Sequence, residues 1–232
     1  MTDIKKKAGM QIRRYRQANK FTIEELAGMI HKGKSTVSKY ENGEIAVDIE
    51  TLHEIADALH VTVNELLWTE GKNFRENLEQ GAFAYREYMY FYDGRAKRVS
   101  KSLLEYYFTK EQDRMRVVLF YDVPSFADAG KCRALYTGCL TKYAFISNYT
   151  FENQKNRTEQ AFLYSVDNLE FSDNKTGVLS GLSFRTMMPV SFKVLISSSP
   201  QKEDEGFIQS LMLSKEELRL TKKYNMLTLD NR

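Results

Sequence analysis

The sequence predicts a two-domain α + β protein: an N-terminal five-helix bundle, then a mostly antiparallel β barrel or sandwich with a short closing helix. Three observations predict it. The chain has 232 residues, comfortable for two domains. Among its aromatic residues only Tyr15, Phe21, Tyr40 and Trp68 precede residue 70. The apolar period is helical up to Leu67 and becomes two from Ala82 onward. The expected boundaries are 1–69 for the helical domain, 70–82 for a linker and 83–232 for the β-rich domain.

Five helical patterns follow one another. In the first, Ile4, Ala8, Ile12 and Tyr15 recur at helical spacing, and Asn19-Lys20 ends it. Thr22 starts the second, and Glu25 three residues on completes a capping box. His31-Lys32-Gly33 forms a tight turn, with Gly33 expected at positive φ. The third helix runs from about Ser35 to Glu41, turns Val37 and Tyr40 inward, and stops at Asn42-Gly43. Asp48 caps the fourth, and Thr62 with Glu65 caps the fifth. Helices two and three, joined by a short turn with the small Ala27 at their crossing, make a helix-turn-helix corner.

Charge is divided within this segment. Residues 1–40 carry ten Lys or Arg against three acids, whereas 41–70 carry eight acids and no Lys or Arg. A domain polarised in this way orients itself against a polyanion.

Residues 12–67 resemble the phage lambda repressor and Cro family, also called the xenobiotic-response-element family. The resemblance lies in Ile12-Arg13-Arg14-Tyr15-Arg16, in Thr22 to Ala27, in Lys34 to Gly43, in Leu52 to Leu59 and in Val61 to Leu67. It implies a recognition helix in the major groove, with helix two crossing the phosphate backbone. Lys34, Ser35, Ser38 and Lys39 then face DNA. The two lysines suit guanine or phosphate, and the two serines suit base edges. Thr36 reaches a phosphate or a thymine methyl, and Asn42 holds a phosphate. The chain departs from the family at Ile23, where a phosphate-binding Gln is usual. Anchoring therefore falls to Thr22, Arg13, Arg14 or the N-terminal lysines.

After the linker, Asp93-Gly94 signals a hairpin. Strands are expected at about 84–92, 97–108, 114–123, 131–151 with a break near Lys142, 158–168, 176–187 and 190–198. Phe207 to Leu213 reads as one more strand, and Ser214 with Glu217 caps a closing helix to about Lys223. The many tyrosines suit either half-buried strand packing or the wall of a small-ligand cavity. Cys132 and Cys139, at odd separation, fall on opposite faces of one strand, which argues against their pairing.

Composition narrows the function. No run of about 18 apolar residues exists, so no membrane span is expected. Met1 to Lys7 is charged and lacks an apolar signal region. Two cysteines are too few for a disulfide framework, and reduced thiols fit a cytoplasmic protein. His31, His53 and His60 are the only histidines, and no metal-ligand spacing joins them. Histidine-based hydrolysis is excluded for the second domain, which has none. No catalytic set, metal or cofactor is expected. The reading is a sequence-specific DNA-binding transcription regulator, of repressor type, with a β-rich sensor and oligomerisation domain. Its partners are double-stranded DNA with a palindromic operator, a second copy of the chain as homodimer, and a small-molecule effector in the β domain. The alternative is an antitoxin or immunity-type protein whose β domain binds a protein.

Overall fold

The computed structural model describes residues 4–67, 81–109, 111, 114–166, 174–182 and 188–229. Trp68 and nearly all of the expected linker lie outside them. The helical domain comprises α1 (Ile4–Ala18), α2 (Ile23–Met29), α3 (Lys34–Glu41), α4 (Ile49–Ala58) and α5 (Val63–Leu67). Its starts follow from local chemistry. Thr22 and Glu25 bond reciprocally before α2, Asp48 accepts from the Thr51 N–H before α4, and Thr62 and Glu65 repeat the box before α5. The α2–α3 turn differs from expectation. His31 takes the left-handed conformation at φ 51°, and Gly33 is an extended N-cap at φ −75°. The sharp reversal comes just after α2, at His31 rather than at Gly33.

The β domain is a closed barrel, which settles the choice between barrel and sandwich. Its strands are β1 (Phe83–Asp93), β2 (Arg98–Phe108), β3 (Arg114–Tyr121), β4 (Ala134–Tyr143), β5 (Ile146–Asn153), β6 (Gln160–Val166), β7 (Asn174–Leu182) and β8 (Pro189–Ser197). Each pairs antiparallel with the next, and β8 closes on β1 through Tyr88–Ser197, Met89–Ile196 and Tyr90–Leu195. The expected break near Lys142 is the β4–β5 turn, where Ala144 takes φ 47°. At the β1–β2 turn Asp93 Oδ1 accepts from the N–H groups of Arg95 and Ala96, and Lys97 rather than Gly94 takes positive φ.

Residues 205–211 are helix α6 (Glu205–Leu211), not the strand expected there. Asp204 caps it, and Phe207, Ile208 and Leu211 pack beside Tyr88 and Tyr90 on the barrel wall. Seven residues with short apolar spacing fit either period, and the cap with tertiary packing decides. The closing helix α7 (Lys215–Tyr224) starts on the expected Ser214–Glu217 box.

The two domains share one core. Ile12, Tyr15, Leu26, Ile55 and Leu66 of the helices are continuous with Leu103, Tyr107, Val118, Phe120 and Leu135 of the barrel. Strand alternation explains how. On β2, Leu104 and Tyr106 point into the barrel while Leu103 and Tyr107 point out to the helices. Polar contacts rim this junction. Tyr15 and Tyr107 share a hydroxyl hydrogen bond of 3.0 Å. Arg116 donates to Glu65 at 3.0 Å and to the His60 carbonyl at 3.1 Å. Lys20 donates to the Cys132 carbonyl.

Cys132 is not on a strand. It follows a short 3-10 turn (Ala129–Lys131) between β3 and β4 and is fully buried in the shared core. Burial pushes its thiol up to about 11, against the lowering influence of Lys20 and Arg14. Cys139, on β4, is half-exposed, and both thiols are free. A disulfide-exchange reagent at pH 8 is therefore expected to titrate Cys139 in the native chain and Cys132 only after unfolding. Rapid native reaction of both contradicts the buried position. Linkage has a definite sign here: the folded thiol binds its proton more tightly, so this contribution is complete below the ordinary value of 9.0 and is lost as pH rises through 11.

Candidate nucleic-acid interface

The exposed surface of α3 is set by what its other side does. Val37, Tyr40 and Glu41 are buried. That leaves Lys34, Ser35, Ser38, Lys39 and Asn42 along one outward stripe at helical spacing. Lys34, Ser35, Lys39 and Asn42 are exposed, and Thr36 and Ser38 are half-buried. None of these residues makes a hydrogen bond or ion pair to the barrel among the contacts described. The barrel is met through α1 and α5 instead, so the shared core does not cover the stripe.

Helix α1 holds α3 in place. Arg16 donates to both Glu41 oxygens, at 2.5 and 2.9 Å, and to the Phe21 carbonyl at 2.7 Å. Gly9 lets the helices touch: a Cβ there would lie 2.3 Å from the Tyr40 carbonyl oxygen. Gly43, at φ 68°, ends α3 against Lys6, whose Cα a Cβ would approach to 2.6 Å. These three contacts fix the angle at which the stripe is offered.

The other expected contacts divide. Arg13 and Thr22 are exposed. The Thr22 hydroxyl accepts from the Glu25 N–H and donates to the Glu25 carboxylate. The Thr22 backbone N–H and this hydroxyl together hold that carboxyl below its ordinary value. Ile23 is spent on packing, partly buried against the shared core. Lys34 pairs with Glu24, which draws the Glu24 carboxyl below its ordinary value. Asn42 donates to Glu44 at 3.1 Å. Both pairs are exposed, where such contacts hold a side chain only weakly.

Arg14 departs from the expectation. Its guanidinium turns away from the stripe, donates to Glu105 of β2 at 3.0 Å from each terminal nitrogen, and lies 4.2 Å from the Phe120 ring centre. Burial alone would lower its pKa, but Glu105 outweighs that and holds it above the ordinary value. Arg14 thus joins the domains. A basic residue in a basic segment gave no local sign of this, because its partner lies 91 positions away.

Residues 12–66 match the helix-turn-helix family. This segment is a helix-turn-helix domain of the Cro and repressor type. Two solved structures are similar to a small part of the chain. One is the clp gene regulator ClgR of C. glutamicum, 26% identical, covering 28% of this chain and 83% of that chain, with a TM-score of 0.27. The other is the restriction-modification controller protein C.AhdI of Aeromonas hydrophila, 29% identical, covering 28% of this chain and 98% of that chain, with a TM-score of 0.27. No curated protein matches the chain. The helix-turn-helix domain is the DNA-binding part, and the barrel has no assigned family. No described helix is long and apolar enough to cross a membrane.

Proposed function

We propose that this protein is a sequence-specific transcription regulator, of repressor type, acting in the cytoplasm as a homodimer on a palindromic operator. One observation carries the reading: with the helix-turn-helix domain seated on the barrel, the α3 stripe of Lys34, Ser35, Ser38, Lys39 and Asn42 still faces outward. Arg13, Thr22 and Thr36 flank it as backbone contacts. A rigid seat serves recognition, because a two-fold pair of such chains then sets the separation of its recognition helices. The barrel serves as the effector-sensing and self-association domain. Its outward Phe162 and Tyr164, two apart on β6 and both exposed, supply an aromatic face of the kind a two-fold contact buries. The antitoxin or immunity-type alternative calls for a long exposed strand edge, and barrel closure takes that feature away.

The test is selection from a pool of random duplexes by the whole chain. The expected product is an inverted repeat with half-sites about 34 Å apart, one helical turn. Recovery of no common sequence overturns the reading.

A further inference from the structure

The barrel is filled for part of its length and hollow at one end. In the filled part Tyr106 donates to Glu87 at 2.6 Å, Tyr149 lies 3.3 Å from the Tyr106 hydroxyl, and Lys175 donates to Glu87 at 3.0 Å. At the end of the barrel where β1, β3 and β7 finish and β4, β6 and β8 begin, a cavity of about 340 Å³ remains. That volume is at the lower end of the range for small-molecule sites, about 300–1,000 Å³.

Its lining has a definite chemistry. Phe91 and Phe192 have ring centres 4.5 Å apart, and Tyr121 lies parallel to Phe91 at 5.9 Å. Leu119 and Leu179 complete an apolar floor. Polar groups belong to the mouth. The two carboxylates there already hold donors: Glu159 accepts from Tyr136 at 2.5 Å and from Asn153 at 3.0 Å, and Asp93 accepts from two backbone N–H groups. Arg95 and Arg133 bring positive charge to the same rim, Arg133 with an Asp122 oxygen 4.0 Å away. A flat apolar body suits the floor, and an acceptor or anion suits the rim.

Glycine placement keeps the mouth open. At Gly138 and Gly177 a Cβ would meet backbone oxygens at 1.8 and 2.5 Å, so packing demands glycine. At Gly181, which lines the cavity, the nearest atoms would be 3.4 Å away, an ordinary contact. Packing does not require glycine there, and a side chain on that strand face would enter the cavity.

The mouth also touches the DNA-binding half. Arg133 follows Cys132, whose carbonyl accepts from Lys20 at the end of α1. A Cβ on Gly130 would lie 3.0 Å from the Arg14 carbonyl oxygen, so this connection and α1 are in close register. We infer that the open end of the barrel binds a flat, largely apolar small molecule with one acceptor or anionic end, and that residues 129–133 relay its occupancy to α1. The inference rests on the sensor role proposed above and gives it a site and a ligand class.

The experiment titrates the whole chain with two fluorescent probes, 1-anilinonaphthalene-8-sulfonate and the uncharged N-phenyl-1-naphthylamine. Both are expected to bind saturably at one site per chain, the sulfonate more tightly. Gly181→Phe should weaken both by about tenfold or more by filling the space. Ala161→Leu, beside Gly181 on the neighbouring strand β6, should do the same, and a cooperative thermal transition certifies that each variant is folded. Arg133→Met should remove the preference for the sulfonate. Amide exchange in α1 and 129–133 should slow when either probe is bound. Absence of saturable binding, or binding indifferent to both filling variants, overturns the site. Binding with unchanged exchange in α1 and 129–133 overturns the relay. Probe binding is read without DNA, so its failure and a failure of duplex selection are separate results.

Discussion

Glu105→Ala is expected to destabilise the whole chain by about 3–5 kcal/mol, the cost of leaving a buried charge without its partner. Glu105 is fully buried on the outward face of β2. Its oxygens accept from both terminal nitrogens of Arg14 and, at 3.1 Å, from Tyr107. Arg86 adds a longer contact at 3.6 Å. Removing the carboxylate strands the Arg14 guanidinium, whose side chain is only 19% exposed. The pair is not expected to be worth that much in itself. Replacing both ends with apolar residues, Arg14→Met with Glu105→Leu, should recover most of the loss, since a well-packed apolar pair avoids the desolvation of two charges. Urea unfolding of the three variants checks this. Because the core is continuous across the domains, helical and β signals should shift together. A loss under about 1 kcal/mol for Glu105→Ala would place the pair among ordinary surface bridges.

Gly9→Ala should cost about 3 kcal/mol, at or beyond the upper end for overpacking, and should abolish duplex binding. The added carbon would sit 2.3 Å from the Tyr40 oxygen and 2.7 Å from the Glu41 oxygen. Both are backbone atoms, so no side chain can swing aside, and α1 must part from α3. The buried Arg16–Glu41 pair is pulled apart by the same movement. Gly28→Ala is the control. It sits in α2 with nothing within 4 Å of the added carbon, so it should stabilise by about 0.5–1 kcal/mol through helix propensity alone. Thermal unfolding and a mobility-shift titration of both variants separate the two cases. Equal behaviour would show that the α1–α3 contact does not set the position of the recognition helix.

Local signals carried much of this architecture. The boxes at Thr22–Glu25, Thr62–Glu65 and Ser214–Glu217 each require two residues three apart, and all three are legible in the chain. Strand alternation likewise separates Leu104 and Tyr106 from Leu103 and Tyr107. What alternation cannot tell is what lies on the outer side, and here it is another domain. Closure of the barrel was equally hidden, because the β1–β8 pairing joins residues more than a hundred positions apart. The tyrosines show the same limit. Tyr107 faces the helices, Tyr90 packs against α6, Tyr106 and Tyr149 fill the barrel, and Tyr121 and Tyr136 line the cavity. Packing accounts for most members of the set, and two line a cavity. Helical spacing, with Val37 and Tyr40 turned inward, leaves Lys34, Ser35, Ser38 and Lys39 on the outer side of α3. For Arg14 spacing gives no sign of its partner, a buried carboxylate 91 positions away.

In the proposed function the outer face of α3 enters duplex DNA while the domain stays seated on the barrel. The most direct test is the affinity of Lys34→Ala and Lys39→Ala for the duplex enriched by the wild-type chain, at fixed salt. Each is expected to weaken binding by about 1–3 kcal/mol if it contacts a base edge, with the unfolding transition unchanged. Wild-type affinity in both variants would contradict the account.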